Sequence, residues 1–268
     1  MTKDLSLPDD AALLAAVVRI ARAAGERLLA AFAPDARPQD RAQMFAAAQR
    51  NEEASSDGLR EALETLRPGA RWLPEELETG ALPDGEWWVV DAVEGNVNHV
   101  HGMSEWGVSI ALVRDGEPVL AAVHQPVGDL TTSAVRGGGV HANGRRLQVS
   151  AKAALDAAIV VTGQAEAGQR ETHARIGASI AAMLDHALLV RATVPSTFPM
   201  LLVAAGSNDV FWQYAPVLPG VAAGLLFARE AGGIASRIDG SPWRPGSPDI
   251  LVAAPGLHAA AVRVLAGL

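Results

Sequence analysis

Leu13, Leu14, Val17, Val18, Ala21, Leu28 and Phe32 recur at the spacing of one helical face, with arginines on the other. This spacing predicts an amphipathic helix over roughly the first thirty residues, ended by Pro34 and Pro38. Gln39 to Gln49 reads as a second, short helix. Leu59, Leu63 and Leu66 mark a third, with Ser55, Ser56 or Asp57 as its N-cap and Pro68-Gly69 as its stop. From Trp87 the period changes to that of strands. Trp87 to Val90, Gly107 to Val113 and Val119 to Val123 are β-rich, and Asp115-Gly116 is a hairpin turn between the last two. Thr131 to Val135, the Gly137-Gly138-Gly139 and Asn143-Gly144 turns, and Leu147 to Val149 continue an antiparallel meander.

The rest of the chain alternates. Strands are expected at Ala158 to Thr162, Leu188 to Val190, Val210 to Trp212 and Ile250 to Val252. Helices are expected at Glu171 to Leu184, Pro199 to Ala205, Val221 to Ala231 (closed by Gly232-Gly233) and Leu257 to Leu265. The alanine-rich composition runs evenly past residue 150 with no linker, so residues 1-268 read as one unit of layered helices and sheets.

With 268 residues, 49% hydrophobic and 19% charged, the chain can bury a sizeable core. Its net charge of -8 and lack of any Lys/Arg run argue against nucleic acid or an anionic membrane as a partner. Without cysteine it has no disulfide, zinc-thiolate site or thiol nucleophile. The stretch from Ala11 to Ala33 carries Arg19, Arg22, Glu26 and Arg27, which fits neither a signal peptide nor a membrane span, and a cytoplasmic location is expected.

The chemistry concentrates where the strand Trp87-Trp88-Val89-Val90 runs into Asp91, turns, and presents Glu94 three residues later, followed by Gly95-Asn96. Acids at a strand's C-terminal edge suit a hard cation such as Mg²⁺, with positions left for a phosphate. Trp72-Leu73-Pro74-Glu75-Glu76 repeats the arrangement and offers a second contributor. The seven histidines show no metal-ligand spacing, and His99 and His101 would fall on opposite faces of a strand, so they read as structural. The tryptophans read as core, although Trp87, Trp88 and Trp212 lie near the expected cleft.

The run from Trp88 through Asp91-Ala92-Val93-Glu94-Gly95-Asn96 to Gly102 resembles the Asp-Pro-Ile-Asp-Gly-Thr-Thr-Asn motif of the inositol monophosphatase family. The strands after it, Arg136-Gly137-Gly138-Gly139, Asn143-Gly144-Arg145, and Val221 to Gly224 through Glu230 to Gly233 extend the resemblance over nearly the whole chain. It implies an α-β-α-β-α layered sandwich, a homodimer, and Mg²⁺-dependent hydrolysis of a small phosphorylated sugar or polyol. It also implies metal contacts from Glu75, Asp91, the Val93 carbonyl and Glu94, the last standing where the family has Asp.

Asn96 replaces the motif's water-orienting Thr, and Glu52 or Glu53 lies nearest to that Thr's acidic partner. Gly95, Asn96, Ser196 and Gln213 are the implied substrate contacts; Gln213 stands where the family has a substrate-facing Glu. Gly220 takes the place of a further metal-binding Asp and has no ligand atom to offer. The expected function is therefore hydrolysis of a sugar or inositol phosphate monoester, weakened by that loss, with one Mg²⁺ or none. The alternative is an inactive family member acting as a binding or scaffold protein.

Overall fold

A computed structural model describes residues 9–163 and 170–268. The part of the expected first helix before residue 9 lies outside them. Helix α1 (Asp10–Ala31) starts on Asp9, whose carboxylate accepts from the Ala12 N–H, and it buries Leu13, Val17, Ala21, Ala24 and Leu28. Helix α2 (Arg41–Ser56) runs seven residues beyond the Gln49 expected from sequence. Its extension has a non-local cause: the Arg27 guanidinium of α1 donates to the carbonyls of Ala54, Ser55 and Asp57, which a helix end otherwise leaves unpaired. Ser55 and Ser56 thus lie inside α2. Helix α3 (Leu59–Leu66) is preceded by Gly58 in the left-handed region, φ 65°, and not by a Ser or Asp cap.

The meander forms a sheet of seven strands in chain order: β1 (Arg71–Trp72), β2 (Glu86–Glu94), β3 (Gly107–Arg114), β4 (Glu117–Gln125), β5 (Leu130–Val135), β6 (Val140–Ala142) and β7 (Arg145–Arg146). All neighbours are antiparallel except β1 and β2. The expected strand at Leu147 to Val149 does not form; the pairing ends at Arg146, and Val149 N–H instead donates to Ala231 O. Between β2 and β3 sits the short helix α4 (Asn96–Val100), so His99 is helical and His101 caps the helix, neither being on a strand.

The second sheet has the order β11-β12-β10-β8-β9, from β8 (Ile159–Thr162), β9 (Leu189–Ala192), β10 (Val210–Tyr214), β11 (Ile234–Ser236) and β12 (Asp249–Ala253). Helices α5 (Arg170–Leu184), α6 (Thr197–Ala204), α7 (Ala222–Glu230) and α8 (Pro255–Leu265) complete the described chain.

Strand alternation sets the layers. Trp88, Ile110, Leu112, Leu120 and Ala122 pack on α1 and α3 on one side of the large sheet. Trp87, Val89, Ala111, Val113 and Ala121 face the other way, onto Met200 and Val203 of α6 and Leu225 and Phe227 of α7. The far side of α6 and α7 is covered by Phe211, Ile250 and Val252 of the small sheet. That sheet's outer face, with Val160, Trp212 and Leu251, packs on Ile176 and Met183 of α5 and Leu257 and Ala261 of α8. The architecture is an α-β-α-β-α sandwich. A partly buried network of Arg67 and Arg114 with Glu86, reaching Asp10, ties α1 and α3 to the sheet.

We propose that this chain folds as one unit, because α6 and α7 supply apolar cover to both sheets and neither sheet is sealed without them. Limited proteolysis is expected to release no stably folded fragment ending near Ser150. A fragment of that kind that kept its own cooperative melt would show two units.

Candidate active site

The C-terminal end of β2 is irregular. Asp91 pairs with Ser109 and Glu94 with Gly107, so three steps on β2 oppose two on β3. Residues an odd number apart on a regular strand point to opposite faces; the bulge turns Asp91 and Glu94 into one cavity. Gly95 follows with φ 80°, and a Cβ there would come within 2.6 Å of Glu105 O, so only glycine makes this corner.

The cavity, about 290 Å³, lies between the β2–α4 corner, the Val194-Pro195-Ser196 segment before α6, and Val217 and Gly220 before α7. Among the described residues, three carboxyls line it, Glu52, Asp91 and Glu94, and no Lys or Arg does. Withdrawal from water, with repulsion from Glu52 and Glu78, pushes Asp91 up to about 7, although its Oδ1 accepts the Val93 N–H at 3.0 Å. Burial and then the charge of Asp91 raise Glu94 well above the usual carboxylate range, while bonds from Thr197 oppose the shift.

The Thr197 Oγ1 lies 2.8 Å from Glu94 Oε2 and 3.0 Å from Gly220 O. One hydroxyl has one hydrogen, so Thr197 donates to the Glu94 carboxyl and the Gly220 carbonyl in alternation.

Helix α2 brings Glu52 to the cleft and Asn51 behind it. The Asn96 Nδ2 donates to Ala48 O at 3.0 Å and to Glu52 Oε1 at 3.1 Å, and its Oδ1 accepts from Asn51 Nδ2 at 2.8 Å. Asn51 also meets the Nδ1 of His99, whose Nε2 lies 3.0 Å from Leu28 O; burial lowers this imidazole and keeps it neutral, a structural histidine. Of the two acids considered beside Asn96, Glu52 is therefore the one at the cleft, while Glu53 accepts from Gln49 on the surface.

The other residues expected at the site divide. Gly95, Asn96, Val93, Ser196 and Gly220 line the cavity. Gln213 does not: it is 1% exposed, and its Oε1 accepts from Ser196 Oγ at 2.6 Å. Glu75 is exposed at the start of a short 3₁₀ turn, Glu75–Leu77, and lines neither this cavity nor its neighbour. From that segment it is Glu78 that reaches the acids, in the adjoining 480 Å³ cavity with Asp91, Glu52 and Trp72. Burial and the nearby Glu75 raise Glu78.

Trp87, Trp88 and Trp212 are core residues and none lines the cleft. The Gly137–Gly139 run is a hairpin turn whose N–H groups on Gly137 and Gly139 are taken by the Glu230 carboxylate. Among the described residues no three Asp, Glu or His side chains converge as a metal-holding group.

These features define the class: a five-layer α/β protein with an acid-lined cleft between the end of a sheet strand and the start of a helix. Residues 9–266 match the inositol monophosphatase family, and the chain belongs to it. It is 36% identical over 192 residues to the inositol-1-monophosphatase of Rhizobium meliloti, covering 70% of this chain and 72% of that one. It is 33% identical over 155 residues to the Nus factor SuhB of Pseudomonas aeruginosa, 58% of this chain and 57% of the relative. The inositol monophosphatase of Anabaena shares the fold at TM-score 0.82 and 24% identity, with 97% of this chain and 96% of that one covered. No helix among the described residues is long and apolar enough to cross a membrane.

Proposed function

We propose that this protein takes a small phosphate monoester, of the sugar or polyol kind acted on in its family, together with Mg²⁺, and hydrolyses it slowly. The observation that carries this reading is the charge of the cleft. Its described lining, three carboxyls and no basic side chain, would repel a phosphate dianion, so the ester enters with a cation. Two carboxyls held above their ordinary pKa without a counter-charge, Asp91 and Glu94, are hard oxygens suited to one such ion, with the Val93 carbonyl beside them. Bound there, Mg²⁺ would neutralise phosphate charge and acidify a water. A pair of ions is not expected: Gly220 contributes no oxygen from a side chain, and among the described residues no three acids converge as a metal-holding group.

The chain's own residues have narrower roles. Asp91 and Glu94 exchange protons for the cation, so binding weakens as pH falls below about 7. Glu52 holds the Asn96 amide, and Gly95 lets the corner approach the ligand. With both amide hydrogens and an oxygen lone pair already engaged, Asn96 is a poorer water-orienting group than a hydroxyl. That saturation, and the closed Glu94–Thr197–Gly220 chain, favour the second reading, a family member that binds its ester without turning it over. The family resemblance further implies a homodimer.

Phosphate release from a panel of sugar phosphates at pH 8, with and without Mg²⁺, tests both, with thermal stabilisation as the measure of binding. Slow release that requires Mg²⁺ is the expected result. Mg²⁺-dependent stabilisation by an ester without release would establish the binding protein, and neither signal would refute the phosphoester reading.

A further inference from the structure

One buried hydroxyl joins the three segments that meet at the acids. Thr197, the first residue of α6, is fully buried, and its Oγ1 lies 2.8 Å from Glu94 Oε2 at the end of β2 and 3.0 Å from Gly220 O before α7. Because one hydroxyl reaches both, the Glu94 carboxyl is carried to the α7 side of the cavity, while Asp91 is held separately by the Val93 N–H. The α7 side is where the lining has room. A Cβ added at Gly220 would touch nothing closer than Val217 Cγ2 at 3.6 Å. An aspartate at position 94 would end one methylene short of the Thr197 hydroxyl, so the length of Glu94 is what makes this bond.

A glutamate left free has three side-chain torsions to fix before it can hold an ion, and that ordering weakens binding. A hydroxyl that donates to it fixes the carboxyl beforehand, and a charged acceptor makes the stronger bond. With one hydrogen to give, Thr197 therefore favours Glu94 over the Gly220 carbonyl once the acid is ionised. We propose that Thr197 is a positioning residue of the cation site: its hydroxyl holds the Glu94 carboxyl toward Gly220, so that the longer acid serves the side of the cleft where Gly220 offers no ligand. This inference rests on the phosphoester reading above, in which Glu94 and Asp91 take one Mg²⁺. A hydroxyl present only to satisfy Gly220 O would matter for folding and leave cation binding alone.

The test is the Mg²⁺ affinity of the whole chain at pH 8, by calorimetry and by the rise in melting temperature with Mg²⁺, with the melt in the absence of Mg²⁺ as a separate measure of folding. Thr197→Val keeps the shape and removes the hydroxyl; it is expected to weaken Mg²⁺ binding about tenfold, the usual cost of losing a group that orients a metal ligand. Thr197→Ser restores the hydroxyl and is expected to bind Mg²⁺ as the natural chain does. Glu94→Asp breaks the same bond from the other side and leaves Thr197 with Gly220 O, so it is expected to fold, to bind Mg²⁺ more weakly, and to make the further change Thr197→Val without effect on affinity. A Thr197→Val protein that melts lower but binds Mg²⁺ as tightly overturns the inference and leaves the phosphoester reading standing, as does a Thr197→Ser protein that binds as weakly as the valine variant. Should Thr197→Val not fold, undiminished Mg²⁺ affinity in Glu94→Asp overturns the inference equally. A natural chain that gives no response to Mg²⁺ overturns both.

Discussion

Asp91→Asn is expected to melt several degrees above the natural protein at pH 8 without divalent cation, and to lose the stabilisation that Mg²⁺ gives. The carboxyl of Asp91 titrates near 7 in the folded chain, against 3.8 as its ordinary value. The folded state therefore keeps a proton that the unfolded state gives up as pH rises above about 4. Between those two values stability falls with rising pH, and above 7 the penalty is complete. At about 1.4 kcal/mol for each unit, a shift of this kind amounts to a few kcal/mol. For a chain of this size that corresponds to about 5 °C or more in Tm.

Asparagine keeps the Oδ1 that accepts the Val93 N–H and brings no charge beside Glu52, Glu78 and Glu94, so the penalty disappears. At pH 5, where Asp91 is already neutral, the two proteins should differ much less. Melting curves at both pH values, with and without millimolar Mg²⁺, check this. A variant that is less stable at pH 8, or that still responds to Mg²⁺, would remove Asp91 from the proposed cation site.

The layers were readable because their signals are local. Asp115-Gly116 and Asn143-Gly144 are two-residue turns whose first members adopt φ 51° and 44°, the conformation that makes such dipeptides strong hairpin markers. The Asp91 to Asn96 corner was also legible, since an apolar strand running into acids and glycine marks a strand edge. What the sequence hid were effects that cross the fold. The bulge that puts Asp91 and Glu94 on one side depends on pairing with β3. The length of α2 depends on Arg27, which reaches over from α1.

Reading the Pro74-Glu75-Glu76 segment by motif favours Glu75, but the 3₁₀ turn that begins there carries the chain inward only by Glu78. Spacing along a chain does not say which carboxyl of a tight turn faces in. Likewise Gln213 sits in a strand whose five residues are all buried, and only its bond from Ser196 shows that it lies behind that residue and does not line the cavity.

The double variant Gly220→Asp with Glu94→Asp is expected to bind Mg²⁺ at least tenfold more tightly than the natural chain and to release phosphate from a monoester correspondingly faster. Gly220 lines the cavity, has an ordinary backbone conformation, and leaves room for a side chain: the nearest atoms to an added Cβ are Val217 Cγ2 at 3.6 Å and Val217 O at 3.7 Å. The position immediately precedes Val221, the N-cap of α7, where a carboxylate is favoured by the helix dipole. Shortening Glu94 draws its carboxyl back toward β2 and frees it from Thr197, whose hydroxyl still has Gly220 O as acceptor.

The added acid joins three others in a cleft whose described lining has no basic residue, so the apo form should lose stability as pH rises and recover it when Mg²⁺ is present. That recovery separates a completed cation site from a variant that is merely damaged. If the folded double variant takes up no more Mg²⁺ than the natural chain, the missing carboxylate is not what limits the site. If uptake improves while hydrolysis stays flat, the limit lies instead in the Asn96 amide and its bond to Glu52.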